Sequence, residues 1–211
     1  MVIIISALAL SLLLKTFFFQ SFWIPSGSME TTLQLNDRIL VTKWRPGPLD
    51  LRRGDIVVFK DPGGWLAPVD TSDDTALESA GKTVLTFTGL LPEDAGEHLV
   101  KRVVGLPGET VECCDAEGRI TIDGEPLDET YLDPGVEPSL TEFSTTVPDG
   151  YLWVMGDNRA NSADSRSHMG NPGGGSVPID SVVGTAFATV WPFDHFHGIG
   201  NPYEDPDTVE D

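Results

Sequence analysis

Short strand-like runs separated by Gly, Pro and Asp, with no helical periodicity of any length beyond residue 30, predict a mostly β fold in one compact domain. An almost unbroken apolar run at the N-terminus adds a single transmembrane helix ahead of that domain. A chain of 211 residues accommodates this plan, since removing an anchor leaves nearly all of it for one folded unit.

The apolar run extends from Val2 to Leu14, interrupted only by Ser6 and Ser11, and Phe17, Phe18, Phe19, Phe22 and Trp23 follow Lys15 and Thr16. A helix from Val2 to Phe19 would be about 27 Å long, close to the thickness of a bilayer core. Lys15 can snorkel to the interface, and the aromatic residues suit the same boundary. A cleavable leader would need a basic front and a small-x-small exit, and neither is present. The expectation is an uncleaved anchor over 1–20, rather than a removed leader or a buried core helix. No Lys or Arg precedes the run, so charge cannot orient it; a basic cytoplasmic tail upstream of Met1 is expected.

The β-domain is expected over 21–200. Arg38–Thr42 and Asp55–Phe59 read as strands, and Thr83–Thr88 alternates at period two. Leu99–Val104 and Thr110–Cys114 follow, then a hairpin through Arg119–Gly124, then Tyr151–Met155 and Val182–Trp191. Asp61–Glu97, rich in Pro, Gly and acid, reads as an insertion carrying one strand pair, and Asn171–Ser176 as a flexible loop. The acidic tail over 201–211 is expected to be disordered. There is no internal repeat and no second span.

The net charge of −20, from 13 basic and 33 acidic residues, argues against nucleic acid or an anionic membrane surface as partner. A well-solvated surface is its simplest meaning. The two cysteines, Cys113 and Cys114, are adjacent, and neighbours in a strand point to opposite faces, so two free packed thiols are expected. His195 and His197 have no evident further ligands, and neither a metal nor a cofactor is expected.

Chemistry concentrates in three stretches. Ile24-Pro25-Ser26-Gly27-Ser28-Met29 places serines where the chain leaves the apolar run. Lys101, between Leu99-Val100 and Val103-Val104, is the lysine best placed to lose its charge by burial and so to accept a serine proton. The residues alone leave it open whether Lys101 is such a base or an exposed lysine on an edge strand. Met155-Gly156-Asp157-Asn158-Arg159-Ala160-Asn161-Ser162-Ala163-Asp164-Ser165-Arg166 is a dense polar cluster of the kind that holds a site together.

Together these stretches resemble the signature of bacterial type I signal peptidases, membrane-anchored serine/lysine proteases. Ser26-Gly27-Ser28-Met29-Glu30-Thr31-Thr32-Leu33 is similar to the family's Ser-x-Ser-Met-x-Pro-Thr-Leu, departing at Thr31; Lys101-Arg102 through Glu109 and Gly156 through Arg166 match two further motifs, and Arg53–Phe59 a structural one. The resemblance spans roughly residues 15 to 60, 98 to 130 and 150 to 193. It implies Ser28 as nucleophile, Lys101 as base, Ser26 as a donor to the oxyanion and Ser162 as a hydrogen-bond partner of the Lys101 amine. It implies Arg102–Asp157 and Asp164–Arg166 as supporting pairs. Phe22, Ile24, Met29, Leu33, Ile39, Leu99 and Val100 would line pockets that accept only small side chains, giving a cut after Ala-x-Ala. The implied partners are signal peptides of secreted preproteins and the lipid bilayer, and the implied location is the cell membrane, single-pass, with the catalytic domain extracytoplasmic.

Three rivals stand beside this reading. A Ser-His-Asp site would use His98, but no Gly-x-Ser-x-Gly elbow occurs. The autocleaving domains of SOS repressors share the Ser/Lys chemistry but carry a DNA-binding helix pair and lack an anchor. A membrane-tethered β-domain that binds partners without catalysis would not need Ser26, Ser28, Lys101 and Ser162 intact.

Overall fold

The computed structural model describes residue 6 and residues 18–47, 49–66 and 98–204. Twelve strands follow one another along the described residues: β1 Phe19–Trp23, β2 Arg38–Thr42, β3 Ile56–Lys60, β4 His98–Gly105, β5 Thr110–Cys113 and β6 Ile120–Ile122, then β7 Glu125–Pro126, β8 Phe143–Thr146, β9 Tyr151–Met155, β10 Val177–Pro178, β11 Val182–Trp191 and β12 His197–Gly198. Four short 3-10 turns are the only other regular elements among the described residues apart from a helical assignment at Ser6.

The strands form two sheets. The larger runs β1-β2-β11-β3-β4-β9-β10, with β12 added to β11, and the smaller runs β7-β6-β5-β8. Every pairing is antiparallel. The strands are rich in Val, Ile, Phe, Trp and Thr, whose branched or aromatic side chains pack well on a pleated surface. The small sheet turns from β6 to β7 through Asp123-Gly124, both at positive φ, the geometry of a two-residue hairpin loop that matches strand twist.

Three apolar clusters fill the interior. One joins Phe22, Ile24, Met29, Leu33, Ile39 and Val58. A second gathers Val57, Phe59, Leu99, Val103 and Val154, and a third, around Trp153, Val111 and Ile120, seals the small sheet to the large one. Strand β4 lies between β3 and β9, with Lys101 opposite Val57 and Arg102 opposite both Ile56 and Met155. Lys101 is therefore carried on an interior strand, not an edge.

Several sequence expectations change here. Phe19 and Gln20, given to the end of the anchor, are the first residues of β1 and pair with Thr42 and Val41. Apart from Ser6 and Phe18–Gln20, the expected anchor lies outside the described residues, among which no helix is long and apolar enough to cross a membrane. The Thr83–Thr88 strand and most of the insertion also lie outside them. The insertion's first residues do not stand apart: Asp61 accepts hydrogen bonds from the N–H groups of Gly63, Trp65 and Leu66, and Trp65 packs into the core against Phe59 and flat on His168. Asn171–Ser176, read as a flexible loop, folds through tight turns that bury Ser176 and deliver Val177 to β9. The tail is ordered at its start, because Asn201 Nδ2 donates to Arg53 O and Asp55 Oδ1, both at 2.8 Å.

Cys113 and Cys114 are joined in a disulfide, not left as free thiols. The alternation argument does not reach them, since Cys114 lies beyond the end of β5, where the chain turns toward Arg119.

Candidate active site

Ser28 stands in the 3-10 turn Gly27–Met29, at the exit from β1. The turn is pinned from within by Met29 and Leu33, both buried, and by Leu33 N–H donating to Met29 O at 2.8 Å. Ile24 N–H donates to Asp37 O, and Asn36 N–H returns to Ile24 O, so the segment is closed at its base.

Lys101 is 3% exposed, and its Nζ lies 2.7 Å from Ser28 Oγ and 3.0 Å from Val100 O. Burial lowers the amine from 10.5 to about 8, while the negative charges of Asp164 and Asp157 act in the opposite direction. The cause is desolvation: an ammonium buried among apolar strands loses hydration that two nearby carboxylates only partly replace. Ser26 Oγ is 3.4 Å from Ser28 Oγ, on the exposed side of the turn.

The loop after β9 closes over this pair. Gly156 is indispensable there, because a Cβ at that position would collide with Ser162 Oγ and the Ser28 carbonyl. Arg102 grips Asp157 through two hydrogen bonds, Nε to Oδ1 at 2.9 Å and Nη2 to Oδ2 at 2.6 Å, with both side chains buried. Thr32 Oγ1 donates to the same carboxylate at 2.5 Å, and the Arg102 guanidinium lies 4.1 Å from the centre of the Tyr131 ring. Arg166 grips Asp164 in the same two-point fashion, at 2.9 and 2.7 Å, and Gly156 N–H adds a third donor at 3.0 Å. Burial pushes the Asp164 carboxyl up, but these donors and the Arg166 charge outweigh it and hold the group below its ordinary value.

The structure brings together Ser26, Ser28 and Lys101, and both supporting pairs. Ser162 sits against Gly156 beside Ser28, yet its buried hydroxyl makes no hydrogen bond to Lys101; it lies close enough to Asp164 to help hold that carboxylate ionised. Of the expected pocket residues, Phe22, Ile24, Met29, Leu33 and Ile39 share one cluster with Val100 packed against it. Leu33 and Ile39 have no exposed surface, so they back the wall and do not face a ligand. Leu99 belongs to the separate cluster around Phe59 and Val103. His98 packs against Phe22 with the rings tilted, its Nδ1 buried and unpartnered, and Ser28 takes its hydrogen bond from Lys101.

Sequence reasoning missed four contributors. Asn158, inside the third motif, donates its N–H to Ser28 O at 3.1 Å and its Nδ2 to Gly27 O at 3.0 Å. Arg159, in the same motif, forms a buried ion pair with Glu129 and donates to Gly156 O at 3.1 Å and Pro138 O at 3.0 Å. Glu129 and Tyr131 carry no local pattern that marks them; only the fold brings them to Arg159.

A serine hydroxyl at hydrogen-bond distance from a buried amine is an arrangement that suits a serine peptidase. The family model described as "Signal peptidase, peptidase S26" matches residues 1–191. A probable signal peptidase I of Mycobacterium leprae is 37% identical over 95% of this chain and 78% of its own length. A signal peptidase I of Mycobacterium tuberculosis is 38% identical over 90% of this chain and 71% of its own. A crystal structure of a signal peptidase I from Enterococcus faecalis V583 is 27% identical, covers 65% of this chain and 97% of that one, and has a TM-score of 0.41. The chain belongs to the signal peptidase family, peptidase S26. Membership in a peptidase family sets aside the non-catalytic β-domain.

Proposed function

We propose that this peptidase removes N-terminal signal peptides from exported preproteins, with Ser28 as nucleophile and Lys101 as its base. The observation that carries the reading is the 2.7 Å contact between Ser28 Oγ and an amine buried enough to be neutral near pH 8. A serine hydroxyl becomes a competent nucleophile only when a positioned base accepts its proton, and a neutral amine at hydrogen-bond distance is such a base. Ser28 Oγ attacks the scissile carbonyl while Lys101 takes its proton; Lys101 then gives that proton to the leaving amine, and the acyl-enzyme remains. Lys101 next takes a proton from a water that attacks the acyl carbonyl and returns it to Ser28 Oγ as the ester bond breaks, which releases the signal peptide and restores Ser28. Ser26 Oγ, beside the nucleophile, stabilises the oxyanion together with a backbone N–H. Ser162, packed against Gly156 beside Ser28, is the hydroxyl that orients the amine.

The substrate lies extended along the edge strand β1, with alternate side chains directed to the wall formed by Phe22, Ile24, Met29 and Val100. Such a filled wall leaves room for small side chains only, hence a cut after small-x-small, as in Ala-x-Ala. The apolar segment that precedes β1 tethers the enzyme to the cell membrane, with the β-domain on the extracytoplasmic side. In support, Phe18, Phe19, Trp44 and Phe187 form an exposed aromatic face around a 430 Å³ depression where β1 begins.

Cleavage of a detergent-solubilised preprotein bearing Ala-x-Ala tests the reading. Ser28→Ala and Lys101→Ala are each expected to lose activity by a factor of about 10³ or more. Cleavage that survived Lys101→Ala would move the base to another group.

A further inference from the structure

Glu30 is the one charged residue between Phe22 and Leu33, and its carboxylate lies over Gly27, the neighbour of Ser28. In a 3-10 turn, side chains three residues apart eclipse one another, so Glu30 rises over position 27. Only glycine leaves that space open: a Cβ at 27 would sit 2.8–2.9 Å from the Glu30 carboxyl atoms. Asn158 Nδ2 spans the pair, donating to Gly27 O at 3.0 Å and to Glu30 Oε2 at 3.3 Å. Glu30 is exposed and forms no ion pair among the described residues. A carboxylate is thus held on the surface of the turn that carries Ser28, its charge facing outward.

Its place relative to the substrate follows from which elements supply it. In the proposed substrate placement the residues before the scissile bond run along β1, which supplies Phe22, and past Val100 of β4. Glu30 comes from the turn past Ser28, and Asn158 from the loop after β9. A peptide that lays the residues before the scissile bond along β1 carries the residues after it out over this turn.

We propose that Glu30, oriented by Asn158, is a specificity-determining residue that reads the charge of the first residue after the cut, favouring a basic side chain and rejecting an acidic one. The inference rests on Ser28 being the nucleophile. Opposite or like charges about 6 Å apart at a solvated surface change a rate by about three-fold each way.

The test uses the full chain in non-ionic detergent and three preproteins that differ only in the first mature residue: Lys, Gln or Asp. In wild type at 50 mM NaCl, kcat/KM is expected to fall in that order, with a Lys to Asp ratio of about ten. The ratio should shrink toward about two at 0.5 M NaCl, approach one in E30Q and invert in E30K. A ratio unchanged in both variants, or a wild-type ratio indifferent to salt, overturns the inference. Should the variants misfold, the wild-type salt dependence decides it alone. Failure of wild type to cleave any of the three defeats the Ser28 reading and this inference with it, and is distinct from cleavage of all three at equal rates.

Discussion

Lys101 shows how one residue sets the working pH of the site. Moving a lysine from 10.5 to about 8 costs folding about 3 kcal/mol at every pH below the lower value, because the folded chain must hold an ammonium it solvates poorly. Between about 8 and 10.5 the unfolded chain binds the extra proton and the folded chain does not, so this penalty fades as pH rises. The same depression makes the neutral amine available near pH 8. The expected log kcat/KM therefore climbs with unit slope from about pH 6, bends near pH 8 and stays level above it. Single-turnover rates on an Ala-x-Ala preprotein across pH 5.5–9.5 measure this, and full activity at pH 6 would exclude a lysine base. Lys60, at the end of β3, is exposed.

At the scale of elements, the loop from Gly156 to Arg166 is held by three guanidinium–carboxylate clamps reaching different parts of the chain. Arg102 comes from β4, Arg166 from the loop itself, and Arg159 reaches Glu129 beyond β7. Both Arg159 and Glu129 are buried at their charged ends, so breaking the pair leaves an uncompensated charge. Glu129→Gln is expected to lower the unfolding free energy by about 3–5 kcal/mol in urea titration, and the Glu129→Leu/Arg159→Met pair to recover most of the loss. A loss under 1 kcal/mol in the single variant would mean that the loop is held without this clamp. Glu129 also marks the limit of reading the sequence. Tyr151–Met155 and Val182–Trp191 were legible to the residue, because long apolar or β-branched runs ended by turn residues admit few alternatives. Strand β1 was hidden inside the aromatic end of the apolar run, and β8, Phe-Ser-Thr-Thr, offers one buried apolar residue and no alternation to find. The Ser28–Lys101 contact and the Arg102 and Arg166 pairs were legible through the resemblance of their motifs to a known family. Glu129 and Tyr131 were not, since their partner Arg159 is about thirty residues away and only the fold makes them neighbours.

The whole molecule is closed by its C-terminal third. Strand β11 lies between β2 and β3 and so joins the part of the chain before the insertion into one sheet. His195 then pairs with the buried Asp37, at 2.8 Å, beneath the turn that carries Ser28, and Asn201 fastens the chain to Arg53 and Asp55. These contacts are local, and they work against a global opposing force. The chain carries a net charge of −20, and its deepest carboxylates, Asp157 and Asp164, are already neutralised by arginines. Much of the excess negative charge therefore lies on the surface, where like charges repel over distances comparable with the Debye length at low salt. The buried pairs are shielded from mobile ions, so added salt weakens the repulsion more than it weakens the clamps. Thermal unfolding in non-ionic detergent is expected to shift upward by about 3–6 °C between 10 mM and 0.5 M NaCl, equivalent to about 1–2 kcal/mol for a domain of this size. Calorimetry at pH 8 measures it, where the carboxylates are ionised. A Tm that fell with salt would mean that exposed ion pairs such as Arg119–Asp115 outweigh the net repulsion, and that the acidic surface is not a cost to this fold.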